Sequence, residues 1–460
     1  MAARNAKADV EASRGAVTNT HQRAVRPKRS PNDLYAAAIV SAFLLVIIIG
    51  TNPFMEGSGI AIEQSGEGDS LRQGILLSLF LLSVPLFIAP KCRLLEIVSS
   101  SPAFVLLMSW SVASLLWSDV ADIAARRLLG TLLIASLTVL TVTLPPRRLV
   151  SVLLAVTGTV MVVNYAGLYV VPDRALDHEG LWEGLHTHKN VAGYFSAISA
   201  LLWLFVGRSR RSRWLIAGGI AWAVFSWFTG SRTSFLIFLA TIPFGLAFSA
   251  GLKRGFDRQL LGVLLLVGAL GALPLIIMGL SLVETAFGDL TLTGRTEIWA
   301  FVWDAALQAP LLGVGYSSFW AVGDSSVALR QASDFVAQYT EAHNGYLDVL
   351  VTLGFVGLFL TLATLAGTCY RALWCYRHKG TDDATREALL CSLLLLTFGI
   401  LHNGFESTLW QGLSPLWTLM LMSIWVISSA TSSNRNYKYV RNLTRQGETC
   451  RPNASLQCGR

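Results

Sequence analysis

Residues 191–230 read VAGYFSAISALLWLFVG, then RSRRSR, then WLIAGGIAWAVFSWFTG, and this stretch decides the fold. Each apolar arm is an uncharged run of about 17 residues, the length that crosses a bilayer core as helix. The arginines between them predict a cytoplasmic connection, because short inner loops collect Lys and Arg. The pair therefore reads as a transmembrane helical hairpin.

Similar runs recur on both sides, at about 34–50, 74–90, 103–117, 128–144, 149–172, 233–250, 260–280, 344–367, 389–404 and 413–429. The chain of 460 residues is 53% hydrophobic and 14% charged, with mean hydropathy +0.53; ordinary soluble domains carry about 25% charged residues. The expectation is an all-α polytopic membrane protein with about twelve spans. With both termini in the cytoplasm, 28 of the 36 Lys and Arg fall on the inner side. The formal net charge of +8 is thus a topology signal and points to no nucleic-acid partner. Cys92, Cys369, Cys375, Cys450 and Cys458 fall inside and Cys391 within a span, so the outward loops have no disulfides to form.

Residues 1–33 read as a disordered basic cytoplasmic arm without signal-peptide features, 34–429 as the membrane domain and 430–460 as a cytoplasmic tail. The longest outward segment, 281–343, reads as a helical periplasmic cap. Its first part, from Thr296 to Leu307, has Ile298, Trp299, Val302, Trp303 and Ala306 on one face, which predicts a helix lying along the membrane interface. Pro310 and Gly313-Val314-Gly315 break it, and a second periodic stretch at 327–339 returns the chain.

Four polar motifs face the outer side. They are Gly184-Leu185-His186-Thr187-His188-Lys189-Asn190, Gly230-Ser231-Arg232-Thr233-Ser234, Thr293-Gly294-Arg295-Thr296-Glu297, and Glu341-Ala342-His343-Asn344-Gly345-Tyr346-Leu347-Asp348. Cations at membrane depth are costly without a partner, which makes Arg232 and Arg295 functional candidates. Their planar donor forks suit phosphate oxygens. A lipid diphosphate would set its phosphates at this depth, and fixed positive charge would stabilise the diphosphate as it leaves a sugar. His343 is the candidate general base, kept neutral by neighbouring arginines. Asp348 need not face it, Glu341 receives no role, and Glu406 is a supporting candidate only. Lys189 and Asn190 either fix their loop or bind lipid or sugar, and Trp182 is an interface anchor that could also stack on sugar. A metal reading of His186, His188 and Glu183 is disfavoured, since a lone His-x-His in a loop is usually no metal site.

Ser231-Arg232, Gly-Arg-x-x-x-Trp at 294–299, Gly-x-Gly at 313–315 and His-Asn-x-Tyr-Leu at 343–347 followed by Gly354 and Gly357 resemble the superfamily of O-antigen ligases and O-antigen or exopolysaccharide polymerases. His188-Lys189-Asn190 and Asn403 with Glu406-Ser407 fit the same pattern, and among its members the chain is most similar to exopolysaccharide polymerases. The resemblance implies a GT-C-like glycosyltransferase of the bacterial inner membrane, acting on the periplasmic face by inversion and without metal or cofactor. It implies an undecaprenyl-diphosphate-linked glycan as donor and a saccharide acceptor, in a membrane-lipid setting that includes chain-length and export proteins. Arg232 and Arg295 become the diphosphate-binding arginines and His343 the base; His188, Lys189, Asn190, Trp182, Asn344, Tyr346 and Glu406 line the substrate. Ligation to lipid A core or protein is the alternative within the class, and a transporter or flippase the alternative outside it. A transporter predicts internal repeats and broken helices near the midplane. Clustering of the polar motifs at one surface favours chemistry there.

Overall fold

The computed structural model describes residues 31–51, 53–54, 69–88, 94–251, 295–320, 322, 332–377 and 381–445. Among these residues the regular structure is helical, apart from one bridge between Leu176 and Trp182. The main helices are α1 (Pro31–Ile49), α2 (Ser70–Ile88), α3 (Pro102–Ala113), α4 (Ala121–Val139), α5 (Pro146–Val170) and α6 (Lys189–Arg210). They continue with α7 (Arg213–Phe228), α8 (Arg232–Gly251), α9 (Arg295–Gln308), α10 (Gly345–Arg377), α11 (Asp383–His402) and α12 (Pro415–Arg445).

Nine of the described helices are long and apolar enough to cross a membrane, and the shorter apolar helices Pro102–Leu116 and Arg213–Phe228 coincide with two more expected spans. The protein is an all-α polytopic membrane protein. The expected span at 260–280, most of the arm at 1–33, the tail beyond 445 and the cap at 281–294 and 323–331 lie outside the described residues. The cap's expected first helix is present as α9. Of the second periodic stretch, residues 332–339 are described and contain only the short turn Val336–Gln338 instead of a helix. Its apolar Ala332, Phe335, Val336 and Tyr339 pack against the cluster that holds Ile298, Val302 and Phe319.

Helices α6, α11 and α12 form the centre, with buried Phe195, Phe398 and Trp417 among their side chains. The hairpin of α6 and α7 closes through small residues: Gly218 lies against the Trp203 ring and Gly219 against Leu204. Such close approach is how helices associate where hydrocarbon on both sides removes the hydrophobic drive. The basic loops gather at one end. There Arg210 binds Glu387 through Nε and Nη2 at 2.6–3.2 Å, Arg148 lies 3.8 Å from Asp33, and Arg371 donates to the Ser101 hydroxyl.

Helix α10 is broken at Gly354, where φ is +67° and ψ −173°. The break exposes backbone groups that hydrocarbon cannot satisfy. The segment after α9 fills it: Phe355 N–H donates to Pro310 O at 2.7 Å and Val356 N–H to Leu311 O, while Val314 and Gly315 N–H donate to Val351 and Thr352 O. Trp110 Nε1 donates to the carbonyl of Leu353. A β-carbon on residue 354 would lie 2.1 Å from Leu311 O. Gly354→Ala therefore combines left-handed strain with a backbone collision, and we expect a loss of about 2–4 kcal/mol, read as a lower unfolding midpoint of the detergent-purified protein. An unchanged midpoint would contradict this packing.

Candidate functional site

His343 sits in a short turn just before α10 and adopts φ +49°. This left-handed conformation costs a side-chain-bearing residue about 1–2 kcal/mol, so neighbouring groups must hold it. Ala342 is clamped on both sides: its N–H donates to Asp348 at 3.1 Å, and its carbonyl accepts from Trp299 Nε1 at 2.9 Å. Trp320 Nε1 donates to the same Asp348 oxygen at 2.7 Å. Asn344 follows, and its Oδ1 accepts from Tyr346 and Leu347 N–H, capping α10. Its own N–H donates to Ser407 Oγ at 3.0 Å, which joins the turn to the connection between α11 and α12.

These constraints present the His343 ring to two carboxylates. Nδ1 lies 3.0 Å from Glu406 Oε2 and 3.1 Å from Glu341 Oε1. Arg295, the first residue of α9, donates from Nη2 to the other Glu406 oxygen at 2.7 Å. Gln411 Nε2 donates to the second oxygen of Glu341 at 2.7 Å, and the Tyr339 ring stands edge-on to His343 at 5.6 Å. The Glu406 side chain is 7% exposed and that of Arg295 17%.

The electrostatics correct one expectation. Burial disfavours the charged imidazole, but hydrogen bonds to Glu341 and Glu406, with their negative charges, outweigh it and raise the His343 pKa to about 10. Arginine does not hold His343 neutral, because Arg295 is turned onto Glu406 and the carboxylates stand nearer the ring. Burial disfavours the Glu406 carboxylate as well, yet His343 and Arg295 lower its pKa to about 2. The resting site is one imidazolium and one guanidinium on a shared carboxylate, with a second carboxylate beside them.

The remaining candidates gather at the same end of the bundle. His188 caps α6 by accepting from Asn190 N–H and lies within electrostatic reach of Glu406, Glu341 and His343. Lys189 Nζ contacts Glu179 at 3.1 Å and Asp177 at 3.5 Å, fixing its loop. The 229–231 turn packs on Gly193 of α6 and brings Arg232 to this end, where it is exposed and has no hydrogen-bond or ion-pair partner among the described residues. Trp182 stacks on Phe228 at 4.6 Å within a group that includes Tyr165 and Phe225. Tyr346 donates its hydroxyl to Ile400 O. Trp299 is buried against Ala342 while Trp303 is 45% exposed, so the two tryptophans of α9 do not share one environment.

His186 and His188 do not converge. His186 is buried against Phe195, and burial lowers its pKa to about 3, whereas His188 is exposed. Among the described residues, Glu341, His343 and Glu406 are the group whose ligand atoms lie close enough, within 4.8 Å, to hold a cation. The imidazolium and Arg295 already balance much of its negative charge. Glu341, Gln411 and Trp320 were missed as site residues, since each reaches the cluster through tertiary contact and no spacing announces it.

This combination defines a polytopic membrane protein with a buried cation–carboxylate cluster at one end of its bundle. Residues 223–362, which include Arg232, Arg295 and His343, match the O-antigen ligase family. It is 28% identical over 248 residues to "Exopolysaccharide production protein ExoQ" of Rhizobium meliloti (strain 1021), across 51% of this chain and 56% of the relative. It is 26% identical over 135 residues to "Putative polysaccharide ligase" of Rickettsia bellii (strain RML369-C), across 29% of this chain and 32% of the relative. The chain thus spans about half the length of the first relative and a third of the second.

The charge cluster predicts a pH signature. A raised His343 pKa adds stability that is complete below its ordinary value of 6.5 and is lost as pH rises to about 10. A lowered Glu406 pKa adds stability that is complete above 4.5 and is lost as pH falls to about 2. The difference in unfolding midpoint between wild type and His343→Gln should therefore be greatest between pH 4.5 and 6.5 and shrink toward pH 10. A difference that grows with pH would show that His343 is neutral at rest.

Proposed function

We propose that the protein is a glycosyltransferase of the bacterial inner membrane that moves a glycan from undecaprenyl diphosphate to a sugar hydroxyl, extending exopolysaccharide or O-antigen. The observation that carries this reading is the junction of Arg295 and His343 on Glu406, at the end of the bundle where the polar motifs gather. The match to the O-antigen ligase family across Arg232, Arg295 and His343 supports it.

In this reading the site faces the periplasm and both termini lie in the cytoplasm. Arg295 and Arg232 bind the diphosphate, joined by the His343 imidazolium as a third cation. Their positive charge stabilises the leaving group, and the transfer inverts the anomeric carbon without a metal ion. Asn344 and Asp348 hold His343, while His188, Lys189, Asn190, Trp182 and Tyr346 frame the substrates. Saccharide acceptor, membrane lipids, and chain-length and export proteins are the partners. Ligation to lipid A core or protein is the second reading, supported by the similarity to a relative bearing a ligase name. A transporter finds less support, because Arg295 and His343 meet at one end of the bundle instead of near its middle.

The test is a reconstituted reaction of purified protein with a lipid-diphosphate-linked repeat unit and EDTA. Wild type should lengthen the lipid-linked glycan, and Arg295→Ala or His343→Ala should each slow it about 100-fold or more. Transfer only when lipid A core is supplied would make the protein a ligase. Transfer to no acceptor would favour transport, and loss of activity with EDTA would refute metal independence.

A further inference from the structure

We propose that Glu341 receives the acceptor's proton while His343 keeps its own against the departing diphosphate; the inference rests on the glycan-transfer reading above. Inverting glycoside hydrolases use a carboxylate base on the face opposite the leaving group, and transfer to a sugar hydroxyl presents the same demand. Two carboxylates flank His343, and their commitments differ. Glu406 has its two oxygens on Arg295 and His343 and is 7% exposed. The Glu341 side chain is 26% exposed, so it can be reached by a hydroxyl.

Glu341 is also oriented. One oxygen lies 3.1 Å from His343 Nδ1 and the other accepts from Gln411 at 2.7 Å. Each carboxylate oxygen has a further lone pair, whereas a doubly protonated imidazole has only donors to offer. With both carboxylates against Nδ1, Nε2 has no partner among the described residues and is left to donate to a phosphate oxygen. The titratable groups facing Glu341 are His343, His188, Tyr194 and Asp348, with Glu406 on the same ring nitrogen of His343.

In the step itself, the acceptor oxygen forms a bond to the anomeric carbon. The bond from that carbon to the diphosphate oxygen breaks, and its electron pair stays on the diphosphate. The hydroxyl proton passes to the Glu341 carboxylate and is later lost to water.

The experiment uses the full chain and the lipid-diphosphate-linked repeat unit. Glu341→Gln, of nearly the same shape, should lower kcat about 100-fold or more and leave the donor KM within about threefold. His343→Gln should lower kcat and also raise the donor KM, because its cation both holds the diphosphate and stabilises it as it leaves. Azide has no proton to lose, so Glu341→Ala supplied with azide should release glycosyl azide and regain turnover. A Glu341→Gln variant that keeps more than about a third of wild-type kcat, or a Glu341→Ala variant that forms no glycosyl azide, overturns the proposal while the glycan-transfer reading stands. An inactive wild type overturns that reading and this proposal with it.

Discussion

One carboxylate, that of Glu406, organises one end of the bundle. From the connection after α11 it joins the turn before α10 and the start of α9, whose His343 and Arg295 lie 63 and 111 residues earlier in the chain. Removing one partner of a buried ion pair typically costs about 3–5 kcal/mol, because the remaining charge is left unpaired. The surrounding backbone is shaped around this group. Gly345 N–H donates to the carbonyls of Asn403 and Glu406, and a β-carbon on residue 345 would lie 2.2 Å from Asn403 Oδ1. Asn403 in turn accepts from Thr408 and Leu409 N–H, so the turn that carries Glu406 is closed by its own side chain.

The cluster has a rigid floor. Residues 313–320 run through the protein interior, where a loop is stable only if its polar groups are paired. Tyr316 N–H donates to Ser114 Oγ, its hydroxyl meets Thr131 and Trp410, and Arg127 binds the carbonyls of Ser317 and Trp320. Trp320 then reaches Asp348, which holds Ala342. A continuous set of hydrogen bonds thus links α4 to the backbone beside His343, and the strained φ of that residue is fixed from below.

The helices were legible because an apolar run of bilayer length has few alternatives in water or lipid. The pairs at 191–207 and 214–230 emerged as α6 and α7, and the run from Thr296 emerged as α9. Arg295 and His343 were legible as candidates because polar residues at membrane edges are rare, and their meeting is a tertiary fact. The protonation of His343 was misread for the same reason. From sequence the arginines were the visible neighbours, while Glu406 lies 63 residues away and Glu341 only two, neither at a spacing that indicates contact. Tyr346 and Trp182 were read as substrate contacts, and each also has a partner within the protein, the first hydrogen-bonding α11 and the second stacking on Phe228. Aromatic identity does not reveal which face of a ring is already occupied.

The interruption of α10 has a consequence for how the chain is built. Its unpaired backbone is completed by Pro310, Leu311, Val314 and Gly315, all of which precede Gly354 in the sequence. Synthesis runs from the N-terminus, so the complementary segment already exists when the glycine emerges from the ribosome. The broken helix can meet its partner as it enters the bilayer, and the most lipid-intolerant piece of backbone need never wait there alone. Reversing that order, as a circular permutation between 315 and 345 would do, would force the interrupted helix to insert before the segment that completes it.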